Sequence, residues 1–195
     1  MRNLLLLILI SLITGCGKSV PPAPFQAIDV SWRYAEKPVE FHLTDPAGKM
    51  RSLSDFKNKV VLMFFGYTHC PEICPTTLAD LAQVMRLLGN DAEKVQVLFV
   101  TLDPERDTPE VLAKFVPYFH PSFLGLYGDA KTTAQTAKTF AVNYEKKMEK
   151  GGYTLDHSDG TYLIGKNGKP VLLSPYNQRA ELLVQDIKLL LQMSD

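Results

Sequence analysis

The segment 60–76 reads Val60-Val61-Leu62-Met63-Phe64-Phe65-Gly66-Tyr67-Thr68-His69-Cys70-Pro71-Glu72-Ile73-Cys74-Pro75-Thr76. Its first six residues are apolar without a break, the pattern of a strand covered on both faces. Its end carries helix-start chemistry. From Pro75 to Leu88, the residues Leu78, Leu81, Ala82, Met85 and Leu88 recur on one helical stripe, and Gly89 stops it. A buried strand therefore hands over to an amphipathic helix, with two cysteines four residues apart at the junction.

The same alternation continues outward. Upstream, Phe41-His42-Leu43-Thr44 and Met50-Arg51-Ser52-Leu53 flank a turn with Pro46 and Gly48, which reads as a hairpin. Downstream, Val95 to Leu102 is a second buried strand, and Thr108-Pro109-Glu110 opens another helix. Phe123 to Tyr127 predicts a short strand and Ala130 to Phe140 a short helix. Tyr153 to Leu155, Thr161 to Ile164 and Val171 to Leu173 are strand-like, the last two flanking an Asn167-Gly168 turn. Ala180 to Met193 predicts a closing helix. The order gives an α/β sandwich with a mixed central sheet and an N-terminal β-hairpin. Ligand sites in such sheets lie beyond the carboxyl ends of the parallel strands, here the loops after Phe65 and Leu102.

Two thiols at a strand-to-helix junction have two uses: they close a disulfide, or they grip a soft metal. Exposed helix N–H groups favour the thiolate form of both Cys70 and Cys74. The alternative, two small core residues, fits poorly with the prolines and polar residues around them. Of the four histidines, His42 lies in an early strand and His120 at a helix end, where packing and capping account for them. His69 adjoins Cys70, but neighbours in an extended segment point opposite ways. His157 stands in a polar loop, Asp156-His157-Ser158-Asp159-Gly160, between two apolar strands, where core packing does not ask for it. Glu72, between the cysteines, reads as a helix-start acid favoured by the dipole.

The chain has 195 residues, with 46% apolar, 22% charged and a formal net charge of zero. That is enough for one core without disulfide staples. Balanced charge argues against nucleic acid as the main partner, since phosphate binding needs clustered Lys and Arg. At the N-terminus, Arg2 precedes an apolar run from Leu4 to Ile13, about half of the ~20 residues a spanning helix needs. Ile13-Thr14-Gly15-Cys16 then resembles the cleavage box of bacterial lipoproteins. This predicts a signal peptide over 1–15, a lipidated Cys16 with a flexible tether over 16–35, and a folded domain over 36–195. The body is then expected on the extracytoplasmic, periplasmic side of a bacterial membrane, held by its lipid anchor.

Three blocks occur in order: Cys70-Pro71-Glu72-Ile73-Cys74-Pro75, then Val100-Thr101-Leu102-Asp103-Pro104-Glu105-Arg106-Asp107-Thr108-Pro109, then Leu155-Asp156-His157-Ser158 followed by a Tyr162-Leu163-Ile164 strand. Together they resemble the Sco/SenC copper chaperones over Phe41 to Leu191. The resemblance implies a thioredoxin-like fold with the added hairpin. It implies one copper, as Cu(I) or Cu(II), held by Cys70, Cys74 and His157, with Asp103 near the metal and tuning it. It also implies cytochrome c oxidase assembly: delivering copper to the dinuclear site of subunit II, or reducing the cysteines of that site. The connection between Gly125 and Tyr153, including Lys146-Lys147-Met148-Glu149-Lys150, is least matched and is expected to be a variable surface loop.

Thiolate ligands select soft ions such as Cu(I), and imidazole suits copper as well. Structural zinc almost always takes four ligands, so a three-donor set favours copper. In an oxidising compartment Cys70 and Cys74 tend toward a disulfide, so loading requires prior reduction by a thiol protein. The competing function is a general extracytoplasmic thiol–disulfide oxidoreductase. Against it, enzymes of that type use Cys-x-x-Cys, and three residues intervene here. A peroxiredoxin-like peroxidase would have Thr or Ser three residues before its reactive Cys, where this chain has Tyr67.

Overall fold

The structure is a computed structural model that describes residues 25–36 and 39–193. Cys16 and the expected signal peptide lie outside the described residues. Among the described residues, ten strands and four α-helices follow in chain order. They are β1 (Ile28–Asp29), β2 (Leu43–Thr44), β3 (Met50–Arg51), β4 (Val60–Gly66), α1 (Ile73–Leu88), β5 (Val95–Thr101) and α2 (Pro109–Phe119). Then come β6 (Leu124–Leu126), α3 (Ala130–Thr139), β7 (Tyr144–Glu149), β8 (Gly152–His157), β9 (Thr161–Ile164), β10 (Pro170–Ser174) and α4 (Ala180–Gln192).

Six strands form one mixed sheet in the order β1-β10-β9-β4-β5-β6. β4 pairs parallel with β5, and β5 with β6, while β9 runs antiparallel to β4. Every residue of β4 is buried, which is why its sequence shows no alternation. Phe64 and Phe65 point to opposite faces of it. Phe64 meets Phe99 at 6.1 Å between centroids, and Phe99 meets Phe115 of α2. Phe65 meets Phe140, past the end of α3, and Phe140 meets Tyr162 and Tyr34. α1 packs beside α4 and α2.

The expected N-terminal hairpin is β2–β3, joined to the end of β6 by two backbone bonds between Thr44 and Tyr127. Residues 25–36, the described part of the segment expected to be a tether, include contacts with the body. β1 pairs with β10 in register Ile28↔Leu173, and Asp186 of α4, fully buried, accepts the backbone N–H groups of Gln26 and Ala27 at 2.8 Å. Two-residue strands are too short to show a period, so this anchoring left no trace in the sequence.

A second difference concerns residues 144–157. The expected loop at Lys146–Lys150 is half of a ribbon: β7 pairs antiparallel with β8 from Tyr144↔His157 to Glu149↔Gly152. Nearly all of β7 is exposed, so neither face had to be apolar and no alternation marks it. His157 accordingly ends a strand instead of sitting in a loop.

The parallel strands β4 and β5 end side by side at Gly66 and Thr101, and Leu102 N donates to the Gly66 carbonyl at 2.7 Å. The cysteine loop and the Asp103–Asp107 loop therefore leave the sheet together, at the edge where sites are expected in such sheets.

Candidate metal centre

Cys74 is the second residue of α1, and Cys70 lies in the turn before it. A helix start leaves N–H groups without partners. Here the Cys74 N–H points at the Cys70 sulfur, 3.4 Å away, so Cys70 Sγ takes the place of a capping oxygen. The four-residue spacing thus brings both sulfurs to one helix end. Cys74 is fully buried and Cys70 half-buried, and both thiols are free in this structure.

His157 reaches the same point from the end of β8. Its Nε2 lies 3.7 Å from Cys74 Sγ, across 83 residues of sequence. Its Nδ1 lies 2.8 Å from the Ser158 carbonyl. A carbonyl only accepts, so Nδ1 carries a proton; Nε2 faces the sulfurs, able to donate to a thiolate when protonated and to serve as a ligand atom when not. Tyr67 and Phe64 meet the imidazole edge-on, at 5.8 and 6.4 Å between centroids. The three ligand atoms lie within 4.8 Å of one another, and among the described residues no fourth His, Cys, Asp or Glu joins them.

The electrostatics divide the two thiols. The Cys74 S–H donates to Cys70 and His157 also bonds to it, which together hold the Cys70 thiol well below its ordinary value despite burial. The same contact, together with burial and the negative charges of Cys70 and Asp107, pushes the Cys74 thiol far up. The two shifts run in opposite directions, so the contact between the sulfurs favours ionisation of Cys70 ahead of Cys74. Burial opposes protonation of His157, but its bonds to Cys70 and Ser158 outweigh that and raise it. Two sulfurs and one imidazole nitrogen make a soft donor set suited to a monovalent copper ion.

Several supporting residues were not singled out from sequence. Gly66 lies directly under Cys74, and a Cβ there would sit 2.7 Å from its sulfur. Asp107, buried, accepts from Thr68 N at 3.0 Å, Thr68 Oγ1 at 2.6 Å and Thr101 Oγ1 at 2.6 Å, and so pins the cysteine loop. Asp103 has a different neighbourhood. Its oxygens bond to Arg106 Nε and to Tyr153 OH, and it is outside the cluster of three ligand atoms. The Asp103–Asp107 block was visible as a motif, but which of its acids holds the cysteine loop is a matter of loop geometry. His69 is exposed, bonded to Thr68 Oγ1 at 3.2 Å, and His42 is exposed. His120 Nδ1 bonds to Ser122 Oγ beyond the helix end, not back to the last carbonyls.

A model of the SCO1/SenC family matches residues 33–192. This chain belongs to the SCO1/SenC family. Its relatives include the mitochondrial SCO2 homolog of Homo sapiens, 45% identical over 133 residues, which cover 66% of this chain and 50% of that protein. A SCO2-like protein of Rickettsia felis is 33% identical over 182 residues, covering 84% and 85% of the two chains. Among solved structures, that of Bradyrhizobium japonicum ScoI with copper bound aligns with a TM-score of 0.71 and 38% identity, covering 77% of this chain and 97% of that one. This SCO1/SenC chain spans about half the length of the mammalian SCO2 proteins it matches. The thioredoxin-like fold expected from the sequence holds for it: a central mixed sheet covered by helices, with the cysteines where β4 hands over to α1.

Proposed function

We propose that this protein binds one copper ion through Cys70, Cys74 and His157 and passes it on during cytochrome c oxidase assembly. The observation that carries the reading is the convergence of two sulfurs and one imidazole nitrogen within 4.8 Å, with the ligand-bearing residues 83 positions apart in sequence. The copper bound to the Bradyrhizobium relative supports the choice of ion. Two thiolates and an imidazole suit three-coordinate Cu(I), whereas structural zinc takes four ligands. Three donors leave a coordination position free for a donor from another molecule. An ion held this way is cargo that a partner's thiols or imidazoles can take over.

The recipient we assign is the dinuclear copper site of oxidase subunit II. In this reading the lipoprotein-like Ile13-Thr14-Gly15-Cys16 would hold the protein on the periplasmic face. No helix among the described residues is long and apolar enough to cross a membrane. Asp103 serves the site indirectly in this reading, through Arg106 and Tyr153.

A second use of the same thiols is thiol–disulfide exchange. The lowered Cys70 thiol favours it, because the thiolate is the attacking species. In that role the protein would keep the subunit II cysteines reduced, or act as a general extracytoplasmic oxidoreductase.

Copper titration of the reduced protein separates these. Cys70→Ala and Cys74→Ala are expected to lose stoichiometric Cu(I) binding. His157→Ala is expected to lose tight binding while keeping any reductase activity. Unchanged copper affinity in His157→Ala would overturn the metal reading and leave the thiol reading standing.

A further inference from the structure

His157 sits on a ribbon that is not part of the main sheet. β7 and β8 pair only with each other. At the base, Ser158 N donates to the Asn143 carbonyl and Asn143 N to Ser158 Oγ, which closes the ribbon on itself and not onto the body. Some other contact has to hold it against the cysteine loop. Period two places Tyr153, Leu155 and His157 on one face of β8. Leu155 is buried, and His157 faces the sulfurs.

Tyr153 is gripped by one side chain in two ways. Arg106, in the loop after β5, donates from Nη1 to the Tyr153 carbonyl at 2.9 Å, and its guanidinium lies 3.7 Å from the centroid of the Tyr153 ring. On its other side Arg106 lies 5.7 Å from the ring of Tyr67, which itself bonds to Thr154 Oγ1 at 2.6 Å. Arg106 Nε pairs with Asp103, and Tyr153 OH donates to the second oxygen of that carboxylate at 2.7 Å. The Asp103 side chain is wholly buried, so it fixes guanidinium and phenol together. The outer pair, Lys146 with Glu105, joins two exposed side chains, and such pairs contribute little.

We propose that Arg106, oriented by buried Asp103, is a positioning residue that latches the β7–β8 ribbon to the body through Tyr153 and thereby sets His157 at the two sulfurs. The inference rests on the reading of Cys70, Cys74 and His157 as copper ligands. The grip lies four residues from the imidazole on the same strand face, a lever of about 14 Å at ~3.4 Å per residue. Arginine is suited to this place because its planar fork bonds a carboxylate and a carbonyl while its face stacks on a ring. A lysine there keeps the charge and loses that geometry.

The test uses Arg106→Lys and Tyr153→Phe in the reduced protein. Without metal, amide hydrogen exchange is expected to quicken across residues 144–157 and to stay unchanged in β4 and β5. With Cu(I) against a competing chelator, each variant is expected to bind about 10-fold more weakly, the low end for losing a residue that orients a ligand. In a His157→Ala background the same substitutions are expected to change nothing further, since there is no ring left to position. Unaltered exchange in the ribbon would overturn the latch, and so would equal weakening with and without His157. Should Arg106→Lys fail to fold, Tyr153→Leu, which keeps the Asp103–Arg106 pair and removes the ring on which Arg106 stacks, decides alone. The exchange experiment needs no copper. Failure of the copper reading, seen as unchanged affinity in His157→Ala, is therefore distinct from failure of the latch.

Discussion

Gly66 shows how a single atom bears on the centre. It ends β4 directly beneath Cys74, where an added Cβ would meet the sulfur at 2.7 Å, Phe64 at 3.0 Å and Phe99 at 3.1 Å. Its backbone does not need glycine for its dihedral angles; close approach is the reason. Gly66→Ala is expected to cost about 1–3 kcal/mol of stability through overpacking. It should also weaken Cu(I) binding, because the cheapest relief moves the Cys74 sulfur away from His157. Thermal melts and chelator competition measure the two effects, and a variant that binds copper as tightly as the parent would show that the sulfur had not moved. The cysteines themselves were legible from their spacing at a strand-to-helix junction. Their unequal ionisation was not, since it arises from one sulfur donating to the other in a half-buried site.

At the scale of elements, the β2–β3 hairpin depends on one buried acid. Asp45 accepts from Ala47 N at 3.0 Å, Lys49 N at 3.0 Å and Arg51 Nε at 2.8 Å. Burial works against its charge, but these bonds and the Arg51 charge hold its carboxyl below the ordinary carboxylate value. A lowered native value means a contribution to stability that is present in full above the unfolded-state value, about pH 3.9, and is lost as pH falls through the native one. Asp45→Asn is expected to lower stability at pH 7 by about 1–3 kcal/mol. Denaturant midpoints followed below about pH 4 should fall more steeply in the parent than in the variant; parallel curves would show that Asp45 is not the group responsible. The hairpin was readable from its turn residues. The β7–β8 ribbon was not, because a strand exposed on both faces has no reason to alternate.

For the whole molecule, the oxidised and reduced states should differ in what they bind. A disulfide between Cys70 and Cys74 has no thiolate to offer, so the oxidised protein is expected to take up copper only after a dithiol supplies two electrons and two protons. Stoichiometric uptake by the disulfide form would contradict this. Local pattern in the chain specifies the alternation of strands and helices, the sheet edge at which a site had to lie, and the two thiols placed there. These follow from short-range rules, namely apolar runs, helical stripes and turn residues, that act over a few residues. Residues alone set His157 apart from the other three histidines by its polar surroundings, and the resemblance between motifs made it a ligand. The tertiary structure decided that its imidazole meets the sulfurs, that the ribbon carrying it is separate from the main sheet, and that Asp103 reaches Arg106 and Tyr153 while Asp107 pins the cysteine loop. Contacts across 83 or 50 positions depend on how the layers pack, and no local pattern encodes that distance.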